Sequence, residues 1–309
     1  MRKARIGSPP LPEEVADHLV ALGRLGYAIA WPGSETYPQM LLSIPDPPAV
    51  LFYRGDLPRH LDGPTVAMVG SRRCSIYGRS SARRLGSDLA AAGVTVVSGL
   101  ARGIDGEAHR GALQGGGPTV AVMACGPDVV YPPEHQKLLE RIVRDGATVT
   151  EYLPRTRPER FRFPERNRII SGLCLGVVVV EAGRKSGALI TVDCALDQGR
   201  EVMCVPGEIS RECCRGSNQL LKSGAGFVTS AEDVVQTLGI TVRSSIRRGR
   251  YVEGKLERSI LDALAEGPCH FDLLLRRLGA KAGDLNAALL GLEMAGAVVQ
   301  RPGRNYSLV

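Results

Sequence analysis

One alternation, running from residue 65 to residue 238, constrains this chain more than any other feature. Short apolar runs end in glycine or another small residue and lead into segments with helical spacing. The runs are Thr65–Val69, Val94–Val97, Thr119–Met123, Ala147–Thr150, Val177–Val180, Glu201–Val205 and Phe227–Val228. Runs this short and this continuously apolar suit strands buried on both faces. Helical patterns such as Ser80–Ala92, Glu134–Arg144 and Leu189–Gln198 lie between them. Repeated strand–helix–strand units, linked by right-handed crossovers, give an α/β fold with a doubly wound, mostly parallel sheet. Ligands of such sheets bind at the carboxyl ends of the strands, so those ends are where chemistry is sought.

The flanking segments differ. Residues 1–64 are a lead-in: Val15, Leu19, Leu22 and Leu25 mark a helix, a proline-rich stretch follows at Ile44–Pro48, and Val50–Tyr53 reads as a short strand. This lead-in is too short for a large core and is expected to pack on the α/β region of residues 65–238. Residues 239–252 carry four Arg and no acidic residue, a linker composition. Residues 253–309 then show helices at 255–265, 270–278 and Ala282–Ala295, followed by two short β-runs around Arg301-Pro-Gly-Arg304. Three helices and a closing hairpin are the layout of a winged helix.

Charge narrows the partner. The net charge of +7 favours a polyanion. No stretch is apolar for long enough to span a membrane, and the basic start Met1–Arg5 lacks the apolar run of a secretory signal. The eight cysteines form no CxxC pair and no zinc-ligand spacing with histidine. They read as reduced core thiols in a cytoplasmic protein, with no metal site.

The strand ends carry the candidate site. The first ends in Val69-Gly70-Ser71-Arg72, a glycine turn before a helix, where backbone N–H groups receive anions and Arg72 adds a bidentate phosphate contact. It is neither GxGxxG nor a Walker loop, and it also reads as a plain tight turn with a surface arginine. The second ends in Ser98-Gly-Leu-Ala-Arg102-Gly-Ile-Asp105, where Ser98 and Arg102 are further phosphate candidates and Asp105 a helix cap or an orienter of arginine. His109 follows within a helix and no nucleophile motif accompanies it, so it reads as structural. Residues 155–168 hold six Arg against two Glu, with Phe161 and Phe163 interleaved. Cations that track phosphates beside a ring that stacks on an unpaired base are the needs of single-stranded nucleic acid binding; a solvated charged loop is the plainer alternative. Pro164 holds Phe163 out of the helical region, which places it in a loop before a helix at Arg166–Leu173. There it either stacks on a base or seals the loop from below, and Phe163 rather than Phe161 is expected to face the nucleic acid. Ser186 and Gly187 open a further helix, again at a strand end.

Taken together, these blocks closely resemble the DprA (Smf) family of DNA-processing proteins. Val69-Gly-Ser-Arg, Ser98-Gly-Leu-Ala-Arg-Gly-Ile-Asp, Phe163-Pro-Glu-Arg-Asn-Arg, Ser186-Gly-Ala-Leu-Ile-Thr, Val205-Pro-Gly and Gly216-Ser-Asn-Gln stand in the family's order, over about residues 37–238. The C-terminal segment resembles the family's optional third domain, and the N-terminal lead-in looks like only part of its helical SAM-like domain. The resemblance implies an extended Rossmann-like domain that binds single-stranded DNA, acts as a homodimer and needs no cofactor. It implies partners too: the RecA recombinase, loaded onto strands taken up in natural transformation, and the single-strand-binding protein that is displaced. By position, Gly70, Ser71 and Arg72 match the family's phosphate-binding turn, Phe163 its base-contacting ring, Arg160 its nearby basic residue, and Arg166, Asn167 and Arg168 its Arg-Asn-Arg block. Lys185 belongs to a loop, Gly183-Arg-Lys-Ser, that is more cationic here than in many members.

Two other readings compete. A nucleotide phosphoribohydrolase on a similar sheet would carry a PGGxGTxxE loop with a catalytic Glu, and the corresponding Glu181-Ala-Gly-Arg-Lys-Ser-Gly lacks it. A transcription regulator would read the major groove through Asp284–Met294, which contains no Lys or Arg. The expectation is therefore a non-enzymatic DNA-binding protein without catalytic residues.

Overall fold

The computed structural model describes residues 12–241, 255–265, 267–294, 297–301 and 303–308 of the chain. It divides into two compact units, Met1–Ser245 and Ile246–Val309. Most of the expected linker 239–252, and the first residues of the lead-in, lie outside the described residues.

The first unit is built on nine strands: β1 (Ala28–Ala30), β2 (Leu51–Gly55), β3 (Thr65–Gly70), β4 (Thr95–Ser98), β5 (Thr119–Val122), β6 (Ala147–Thr150), β7 (Gly176–Glu181), β8 (Glu201–Cys204) and β9 (Gly226–Phe227). Among the described residues ten α-helices accompany them: α1 (Pro12–Leu25), α2 (Gln39–Leu42), α3 (Leu57–Leu61), α4 (Ile76–Ala91), α5 (Ile104–Gln114), α6 (Gln136–Asp145), α7 (Arg162–Gly172), α8 (Ala188–Asp197), α9 (Arg215–Lys222) and α10 (Ala231–Thr237). The sheet order is β1-β2-β6-β5-β4-β3-β7-β8-β9. All neighbours are parallel from β6 to β9, and β2 joins β6 antiparallel, as β1 joins β2. The strands of the lead-in thus extend the main sheet at one edge.

Valine-rich strands buried on both faces explain the core. Ala67, Val69, Val97, Val177 and Val179 face Ile169 and Ile170 of α7 and Val192 of α8. Their alternate neighbours Val66, Met68, Val96, Val178 and Val180 face Leu85 and Leu89 of α4, Ile104 and Ala108 of α5, and Val234 of α10. Period-two alternation therefore supplies two apolar layers from one sheet. From β3 the chain winds outward to β6; it then returns to lay β7 against the other side of β3. The carboxyl ends of β3 and β7 are thus the point where the strand order reverses, and helices diverge there to leave a crevice.

The second unit has α11 (Lys255–Ala265), β10 (Cys269–His270), α12 (Phe271–Leu278), α13 (Ala282–Met294), β11 (Val298–Arg301) and β12 (Asn305–Leu308). Its sheet order is β10-β12-β11, closed by the β11–β12 hairpin. Ile260, Leu264, Phe271, Leu274, Leu289 and Tyr306 fill its own core. It is a winged helix.

Candidate nucleic-acid interface

The two turns at the reversal point are locked to each other. The backbone N–H of Ser71, just past β3, donates to the carbonyl of Glu181 at the end of β7 over 2.7 Å. On the other side, Ile104 N–H donates to the Ser71 carbonyl over 3.3 Å. Gly103 has φ +75°, and a Cβ there would fall on the Ser71 carbonyl oxygen. Only glycine lets the loop after β4 approach the loop after β3 this closely.

A crevice of about 1060 Å³ opens over these turns. Gly70, Ser71, Arg72 and Arg73 form one wall; Gly183, Arg184, Lys185, Ser186 and Gly187, between β7 and α8, form the opposite one. Arg160 and Phe163, at the start of α7, complete it. Arg72, Arg73, Arg160, Arg184 and Lys185 are exposed, while Phe163 is half-buried. The Arg72 guanidinium lies over the Phe163 ring, 4.5 Å from its centroid. Tyr131 packs on that ring at 5.6 Å and 57°. The result is a cationic cleft with an aromatic surface between its walls. It can neutralise a run of phosphates and stack a flat, unpaired ring.

The structure corrects the local conformation expected at Phe163. Helix α7 starts at Arg162, with Phe161 as its N-cap residue, so Phe163 is helical rather than in a preceding loop. Pro164 stands in the first turn, where its missing N–H would have had no helical partner in any case. Phe161 is 53% exposed, stacks under the Arg162 guanidinium at 4.9 Å and does not line the crevice.

Five expected contacts are placed differently. Ser98 is wholly buried, and its hydroxyl donates to the Met68 carbonyl over 2.6 Å, so it bridges β4 and β3. Arg102 is exposed but outside the crevice lining, paired with Glu134. Arg168 points away: it holds Glu151 at 2.7 Å and Asp46 at 2.8 Å, tying α7 to the end of β6 and to the proline-rich segment. Arg166 reaches the crevice only from beneath and is 3% exposed. Its guanidinium donates to the carbonyls of Gly99, at 2.8 Å, and Val122. A Cβ at Gly99 would strike that guanidinium. Asn167 is buried beside it and accepts from Arg166 Nε over 3.3 Å. Burial pulls the Arg166 guanidinium down to about 10, offset in part by the Asp105 charge. Asp105 is raised by burial and restrained by Arg166 and by the Gly99 N–H, which donates to it over 3.1 Å. This buried, charge-compensated set is a floor that holds the strand-end loops in place.

Sequence reasoning passed over Arg73 and Tyr131. Arg73 was legible as the second cation after the glycine turn. Tyr131 was not, because nothing local ties it to Phe163. His109 is fully buried in α5. Its Nδ1 faces Thr119 Oγ1 at 2.7 Å, and that hydroxyl already donates to the Val96 carbonyl. Nδ1 therefore carries the proton, and Nε2 has no partner. Burial lowers its pKa to about 3. It is a structural, neutral histidine.

No helix among the described residues is long and apolar enough to cross a membrane. The model of the DNA recombination-mediator protein A family matches residues 28–239, and that of the DprA winged helix domain matches residues 253–304. Protein Smf of Escherichia coli is 38% identical over 87% of this chain and 74% of its own length. DNA processing protein DprA of Streptococcus pneumoniae is 45% identical over 65% of this chain and 71% of its own length. Its crystal structure superposes with a TM-score of 0.66 at 42% identity, covering 70% of this chain and 77% of that one. DNA processing protein A of Helicobacter pylori, solved for its single-stranded DNA binding mode, gives a TM-score of 0.62 at 29% identity over 69% of this chain and 95% of its own. The crevice at the β3–β7 reversal, the Gly-Ser-Arg turn and the winged helix are thus set in a chain that belongs to the DNA recombination-mediator protein A family.

Proposed function

We propose that this protein binds single-stranded DNA in the β3–β7 crevice and acts as a recombination mediator. It would shield incoming strands and load the RecA recombinase onto them during natural transformation, displacing single-strand-binding protein. One observation carries the reading: exposed cations from three separate loops surround a single accessible aromatic ring, Phe163. Phosphates lie along Arg72, Arg160 and Lys185, with the hydroxyls of Ser71 and Ser186 and the N–H of Gly187 as neutral donors, and a base stacks at Phe163. A duplex keeps its bases stacked inward and cannot use that ring. Family membership supports the same reading, as does the single-stranded DNA binding of the Helicobacter pylori relative. The protein works in the cytoplasm, as a homodimer, by binding alone. In support, the Glu181 carboxylate at the end of β7 is turned to Ser75 rather than to the crevice, where a hydrolase on this sheet would need it.

The experiment is a titration of thymidine oligomers and matched duplexes, followed by RecA filament assembly on strands coated with single-strand-binding protein. Preference for single strands and faster RecA assembly are expected. Equal duplex affinity, or release of free base from nucleoside monophosphates, would overturn the proposal.

A further inference from the structure

We propose that Cys213, Cys214 and Glu181 form a binding site for one thiophilic divalent cation, with zinc(II) the best fit to the donors. The spacing of cysteines along the chain gave no such site. The fold makes it, by laying the turn before α9 against the end of β7.

The two thiols are adjacent in sequence yet converge, with Sγ atoms 3.9 Å apart. Two thiolates on a tetrahedral zinc, each at the usual bond length, stand about 3.8 Å apart. A carboxylate oxygen of Glu181 completes a trio of ligand atoms that all lie within 4.8 Å of one another. Glu181 is 1% exposed and, among the described residues, has no cationic partner in an ion pair. A buried carboxylate in that position is short of a positive charge. It is already oriented: Ser75 N–H donates to Oε1 over 2.9 Å, and the Ser75 hydroxyl donates to Oε2. Metal-ligating carboxylates are held by outer hydrogen bonds of this kind. Cys214 is 2% exposed.

Binding exchanges protons for metal. Each thiol loses its proton, the zinc gains two sulfur bonds and one oxygen bond, and two protons leave. The local charge is −1 before and after, so no new charge is buried, and no electron is transferred. Three protein donors leave a fourth position for water or another oxygen. Cys213 also lines the large crevice; Cys214 lines a smaller cleft of about 370 Å³ with Ser75 and Tyr77. The metal would therefore brace the wall behind the Gly183–Gly187 loop. The site stands independently of the single-stranded DNA reading.

The test uses the full chain, reduced with a phosphine and titrated with zinc(II) against a chromophoric chelator, then with cobalt(II) to read thiolate-to-cobalt absorption. One zinc per chain is expected. Cys213→Ser and Cys214→Ser should each weaken it more than roughly 100-fold, beyond the loss of an outer partner. Cys194→Ser, in α8, should leave it unchanged. Glu181→Gln should weaken zinc while keeping the thiolate absorption. Zinc affinity equal in the wild type and the Cys213→Ser/Cys214→Ser double variant, with both folded by circular dichroism, would overturn the site. So would cobalt absorption that survives in that variant.

Discussion

Arg72 and Arg166 illustrate how far the same residue type can diverge within one crevice. Arg72 is exposed and rests on an aromatic face; Arg166 is buried and spends its donors on two carbonyls. Arg72→Ala should weaken single-strand binding by about 1.5–3 kcal/mol, the worth of a charge-assisted contact, with little change in melting temperature. Arg166→Ala should instead cost about 3–5 kcal/mol of stability, because it strands buried acceptors and the Asp105 charge. Urea denaturation alongside binding separates the two. Phe163→Ala should lose about 1–3 kcal/mol of affinity for any base sequence, and Phe161→Ala should not. A fallen melting temperature with intact affinity would assign the Phe163 ring to packing instead.

His109 makes a pH prediction at the same scale. Its folded pKa, near 3, lies below the ordinary value of 6.5, so the unfolded chain binds the proton first as pH falls. Stability from this group is complete above about pH 6.5 and is lost progressively toward pH 3, reaching about 2 kcal/mol at pH 5. His109→Gln should remove that part of the pH dependence, as measured by urea unfolding at pH 7.5 and 5.

At the scale of elements, the loops at the strand ends depend on one another. The loop after β4 can pass the Ser71 carbonyl only because Gly103 lacks a Cβ and takes φ +75°. Gly103→Ala should therefore lower both stability and single-strand affinity, since it shifts the turn that carries Arg72. Thermal melts and oligothymidine binding check this together. Helix α7 was only partly legible: the Arg–Phe interleaving was visible, its first turn was not. The preference of a residue before proline for extended backbone was outweighed by the packing of Ile169 and Ile170 against the sheet, which fixes where the helix lies. Arg168 departs from its expected role for a related reason. Asp46 and Glu151, which engage it, come from distant segments that no local pattern connects.

For the whole molecule, the binding mode predicts its salt dependence. With about three or four phosphates neutralised, log affinity should fall against log salt with a slope near −2 to −3 for single strands. A flat response would remove the electrostatic crevice as the main source of affinity. The winged helix should contribute little to duplex recognition, because α13 holds no Lys or Arg along Ala282–Met294. Deleting residues 253–309 is expected to leave the single-strand salt slope unchanged.

Much of this architecture was determined by sequence alone. Short, continuously apolar runs between segments with helical spacing specify parallel strands buried on both faces and the helices that cover them, because those patterns match backbone geometry. The glycine turn with Arg72, the cation–aromatic stretch around Arg160 and Phe163, and the closing winged helix were legible for the same local reason. Tertiary structure decided what each charged side chain meets. It turned Ser98, Arg166 and Arg168 inward or sideways, brought Tyr131 to Phe163, and placed Glu181 beside two vicinal thiols. Those outcomes depend on contacts between segments far apart in the chain, and burial, not residue type, determines whether a cation faces the crevice or braces the fold.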